Sequence, residues 1–104
     1  DYEGSVWIYR YKEYVFCLNT ENDDECYYVN KEGEKRNITF LWSEFDSSVR
    51  VDEYVDGEKV LLLSGTCKFN KEWFTINLDR SFSRANYLPK EIRFERTYEN
   101  IESE

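Results

Sequence analysis

Two cysteines bracket an acidic, amide-rich run in the stretch YVFCLNTENDDECYY, Tyr14 to Tyr28, and these residue types admit three chemistries. An oxygen-ligand cation loop, a disulfide-stapled hairpin and a solvated turn would each use them. The cation loop fits worst. NTENDDE lacks the Asp-x-Asp-x-Asp-Gly order of a calcium loop, its closing bidentate Glu, and any Gly for the sharp turn, so no metal site is expected. Cys17 and Cys26 enclose eight residues, and strands paired in register across that turn would hold them at bridging distance, leaving Cys67 over. Three cysteines without metal-motif spacing equally suit three buried, reduced thiols.

Catalysis is addressed by what is missing. The chain has no His, which removes the commonest general base, the Ser-His-Asp and Cys-His nucleophile systems and most catalytic zinc sites. Its four scattered Gly cannot form a phosphate loop. A carboxylate pair could still hydrolyse a glycoside, but with 22 Asp and Glu some pair will fall at a suitable separation by chance. A non-enzymatic protein without a cofactor is the expectation.

The partners are bounded by charge. A net charge of −8 argues against a nucleic-acid ligand, since phosphate contacts need Lys and Arg. The acid is uneven: residues 1–58 carry 15 acidic against 6 basic side chains, and residues 59–104 carry 7 against 8. The longest apolar run, Val60 to Leu63, is strand-sized, so no transmembrane segment is expected.

The elements that must position these groups follow period two. Tyr14, Phe16 and Leu18 share one face, as do Ile38, Phe40 and Trp42, then Val49 and Val51, then Phe74, Ile76 and Leu78, then Ile92 and Phe94. Asp56-Gly57 between two apolar runs predicts a two-residue hairpin turn, and Asn70-Lys71 predicts another. No window sustains a helical stripe, and the stretch Asp79 to Pro89 is the least regular. With 18% aromatic residues in 104, the pattern predicts one all-β domain over residues 1–97 and a frayed acidic tail over 98–104. About eight or nine short strands would form an antiparallel meander that closes into a small barrel and so removes its edges. A β-sandwich is the alternative.

The opening YEGSVWIY, the paired strands SGTCKFNKEWFTINL and the closing LPKEIRFER resemble the small lipocalin-like barrels of bacterial secreted proteins and lipoproteins, of the Bacteroidetes type. The resemblance covers roughly a third of the chain and departs from the family pattern in placing Val6 between Ser5 and Trp7. It implies a ligand-binding barrel in a secreted or cell-envelope location, with a signal peptide removed before Asp1. In such a barrel Trp7, Trp42 and Trp73 would line the mouth, unless they are simply core, and Arg80 and Arg84 would orient an anionic group on a small apolar or amphipathic ligand. A second class is an acidic interaction module, an inhibitor, accessory subunit or nucleic-acid mimic. It requires the carboxylates of Glu21 to Glu34 and of Glu44 to Glu58 to converge on one surface that meets a basic protein partner.

Overall fold

The computed structural model describes residues 6–22 and 25–97, so Ser5 and the expected tail over 98–104 lie outside the described residues. Eight strands run in chain order: β1 (Val6–Tyr11), β2 (Tyr14–Asn19), β3 (Tyr27–Val29), β4 (Lys35–Trp42), β5 (Ser48–Val55), β6 (Glu58–Phe69), β7 (Trp73–Leu78) and β8 (Glu91–Thr97). Each pairs antiparallel with the next, and β8 returns to β1, with Val6 opposite Thr97, Trp7 opposite Arg96 and Ile8 opposite Glu95. The sheet is therefore a closed meander barrel rather than a sandwich. Closure gives every strand among the described residues a neighbour on both sides, so none of them is an edge strand.

Alternation determines what the barrel contains. The inward faces of β2, β4, β5, β7 and β8 supply Phe16, Leu18, Ile38, Val49, Val51, Phe74, Ile76, Leu78, Ile92 and Phe94, all buried. Phe74 sits centrally. Its ring lies 5.2 Å from Trp7, 4.9 Å from Phe69 and 5.8 Å from Phe40, and it stacks on Phe94 at 4.8 Å. Offset and edge contacts of this kind add to the burial of large apolar rings.

Turn chemistry holds the register. Asp56 and Gly57 both have positive φ, 52° and 82°, as the type I′ hairpin between β5 and β6 requires. A bulge interrupts that same pair: Val51 faces Leu63 while Asp52 faces Leu61, which leaves Leu62 as the extra residue. Its carbonyl is taken by the irregular segment after β7, accepting from the backbone N–H groups of Arg84 and Ala85.

That segment opens with a 3-10 turn, Arg80–Phe82, capped by the Asp79 carboxylate on Ser81 N–H. It then crosses one end of the barrel and buries Ser83, Ala85 and Leu88 there. Tyr87 stacks on Tyr14 at 4.3 Å. The end that holds the β1–β2, β3–β4 and β5–β6 turns is thus plugged, and the end that holds the β4–β5 and β6–β7 turns carries the mouth.

Candidate functional site

The mouth is a cavity of about 570 Å³ walled by Trp7, Phe40, Trp42 and Phe69, with Asn19, Thr20, Glu21, Glu44 and Asn70 around it. Its aromatic wall follows from strand alternation: Trp7 on β1 and Phe40 and Trp42 on β4 face inward, and Phe69 ends β6 beside them. Trp7 is buried at 1% exposure and forms the floor, whereas Trp42 is 43% exposed at the rim and packs on Phe69 at 4.5 Å. The indole Nε1 of Trp7 is buried and has no hydrogen-bond partner among the described residues.

Short polar side chains shape the loops around this wall. Asn19 Oδ1 accepts from the N–H groups of Glu21 and Asn22, and Asn70 Oδ1 accepts from those of Glu72 and Trp73. Both are Asx turns, which reverse the chain tightly at the ends of β2 and β6. Ser48 N–H donates to Asp46 Oδ1 in the loop that carries Glu44 and the fully exposed Phe45. Donors from Ser48 hold the Asp46 carboxyl below the usual carboxylate range.

The five residues expected to form one ligand site are not brought together. Trp7 and Trp42 meet in the mouth. Trp73 does not: it alternates with the inward Phe74, so it lies on the outer wall, where the Arg93 guanidinium stacks over its ring at 4.3 Å. Arg80 and Arg84 lie in the plug at the opposite end and act on the fold. Arg80 donates to the carbonyls of Asn86 and Leu88, and Arg84 donates to the Leu61 carbonyl and to Glu53 Oε1. Arg80 also borders a shallow outer groove of about 700 Å³ with Lys90, whose ammonium is directed to the Leu78 carbonyl.

Glu53 continues the inward alternation of Val49 and Val51 and so places a carboxylate at a core position of β5. It faces Ile38 across β4 and β5, is 5% exposed, and accepts from Tyr28 Oη at 3.0 Å and Arg84 Nη2 at 3.1 Å, with Arg36 Nε at 3.9 Å. A buried charge is tolerable only when paired in this way. Burial, and then the bond to Glu53, raises the Tyr28 hydroxyl well above the ordinary tyrosine value, and burial pushes Tyr87 up to about 12. This cluster ties the plug to the barrel wall.

The cysteines form no pair. Cys17 faces Tyr27 across β2 and β3, so Cys26 follows one step further and belongs to the opposite face. Cys17 is on the outer wall, whereas Cys26 sits in the core and accepts from Asn19 N–H at 3.3 Å. All three cysteines are buried thiols, and burial pushes Cys67 up to about 11. In the native protein none should react quickly with a disulfide reagent at neutral pH, because burial makes access poor and at Cys67 also disfavours the thiolate. All three should titrate after denaturation; a fast-reacting thiol in the folded state would contradict this placement.

No group of His, Cys, Asp or Glu among the described residues is arranged to hold a metal ion. The carboxylates do not converge either. Glu21, Glu25, Glu44 and Asp46 belong to loops at the mouth, while Glu32, Glu34 and Asp56 occupy turns at the plugged end, where Glu58 opens β6. The two groups of described carboxylates thus lie at opposite ends of the barrel. No helix among the described residues is long and apolar enough to cross a membrane.

The described residues thus define an antiparallel meander barrel with one aromatic-walled mouth and one plugged end. Comparison with known proteins finds no matching family model, no matching curated protein and no matching solved structure.

Proposed function

We propose that this barrel is a non-catalytic binding protein that takes a small apolar or amphipathic molecule into the mouth between Trp42 and Phe69. One observation carries the reading: an open cavity of about 570 Å³, the size of a small-ligand site, is walled by four aromatic side chains and bordered by a few polar ones. Core packing alone would have filled it. The secreted or envelope location implied by the lipocalin-like resemblance belongs to this reading, and the buried thiols add nothing to it.

Trp42 separates binding from folding. Being 43% exposed, it should be replaceable by Ala at about 1 kcal/mol of stability or less. The same change should weaken binding of a mouth ligand about tenfold, since a rim aromatic that closes on a ligand acts as an anchor. Calorimetric titration of Trp42→Ala beside the parent chain checks this. Unaltered affinity for a ligand that binds the parent would move the site elsewhere.

A further inference from the structure

The plug holds one aromatic side chain in a fixed place against the barrel wall. Tyr87 occupies the third position of the turn in which Leu88 N–H donates to the Ala85 carbonyl, and the Arg80 guanidinium clamps the carbonyls on either side of it, those of Asn86 and Leu88. Its ring lies face to face with that of Tyr14, the first residue of β2, at a centroid distance of 4.3 Å and an interplanar angle of 17°. This is closer than the roughly 4.5–7 Å usual for a pair of aromatic rings. Burial raises the Tyr87 hydroxyl most, and the Tyr14 hydroxyl raises it further, so the two hydroxyls are neighbours as well as the two rings. The carbons flanking each hydroxyl are thereby brought near one another. Tyr87 is also 40% exposed, within reach of an oxidant. The other tyrosine pair in ring contact among the described residues, Tyr9 with Tyr11, is 6.3 Å apart on a single strand. Tyr28 stacks on Phe16, and the exposed Tyr54 meets the Lys59 ammonium rather than a second ring.

From this juxtaposition we infer that Tyr14 and Tyr87 form a site of oxidative cross-linking, which a haem peroxidase acting with hydrogen peroxide converts to a dityrosine bond. Each phenol gives up one electron and one proton to the peroxidase. The two phenoxyl radicals join through one Cε carbon of each ring, and each joined carbon passes its hydrogen as a proton to its own ring oxygen, which restores both aromatic rings and both hydroxyls. The electrons and protons released reduce hydrogen peroxide to water, so the chain loses two hydrogens in all. Joining requires the stacked rings to turn edge to edge, and Tyr87 lies outside the sheet ladder, in the segment free to yield. The product ties the plug to β2 covalently, and a cross-link across so long a stretch of chain restricts the unfolded state.

Treatment of the dilute protein with a plant haem peroxidase and equimolar hydrogen peroxide tests the assignment. The expected product is a monomer lighter by two hydrogens, with dityrosine fluorescence, whose proteolytic map joins the peptides that contain Tyr14 and Tyr87. Its thermal midpoint should rise by about 10 °C. Tyr14→Phe and Tyr87→Phe each keep the stacked ring and remove the phenol, so each should abolish the cross-link, whereas Tyr11→Phe retains it. If either variant fails to fold, the peptide map of the parent chain alone decides the pairing. A joint between Tyr9 and Tyr11, covalent dimers through Tyr54 with no product inside one chain, or no dityrosine at all would overturn the assignment. A cross-linked monomer that melts where the parent does would overturn the role of the bond in fixing the plug.

Discussion

Phe74→Ala should lower the stability of the barrel by about 4 kcal/mol, read as a drop in the urea midpoint with little change in slope. The ring is fully buried and touches Trp7, Phe40, Phe69 and Phe94, so it connects the mouth floor to the strands that close the barrel. Truncation would forfeit the transfer energy of the ring and leave a void that the hydrogen-bonded wall cannot collapse to fill. A domain of this size typically holds about 5–15 kcal/mol in all, so the variant would be close to unfolding at moderate temperature. A loss under about 1 kcal/mol would show that the centre of the barrel repacks freely, contrary to a closed ladder.

Gly65→Ala is the second large effect, of about 3 kcal/mol, and its cause is steric rather than conformational. Gly65 lies in β6 between Val49 of β5 and Leu78 of β7. A Cβ there would overlap the Asn77 carbonyl oxygen and lie 2.9 Å from its carbon, with Ile76 Cγ2 at 3.2 Å. Those first two atoms are backbone in the paired strand, so relief requires β6 and β7 to separate. Gly33→Ala is the natural comparison. Nothing lies near a Cβ at Gly33, and the penalty comes only from its φ of +81°, so about 1 kcal/mol should be lost. Equal losses in the two variants would refute the close-approach account of Gly65.

Much of the wall was legible from alternation because period two is set by the strand itself and needs no knowledge of partners. The inward sets on β2, β4, β5, β7 and β8, the Asp56-Gly57 turn and the irregular stretch after Asp79 all follow from residues next to one another in the chain. The mouth was only half legible. Its wall unites β1, β4 and β6, and which strand ends share a rim depends on closure, so nothing local joined Phe69 and Glu44 to the inward Phe40 and Trp42. Trp73 was misplaced by residue type: its alternation with Phe74 already put it outside, but a tryptophan suggests a cavity. Arg84 pairs with Glu53 across 31 residues, a contact no short window contains. The cysteine pairing depended on register, and a displacement of one residue moved Cys26 to the face opposite Cys17.

The plug built from Ser83, Ala85 and Leu88 has a kinetic meaning as well as a structural one. A barrel stopped at one end is a cul-de-sac: a molecule that enters past Trp42 must back out along its own path. Traffic in both directions then crosses one barrier at the doorway. Bulk added there would slow arrival and departure by the same factor, lengthening residence while leaving the dissociation constant where it was.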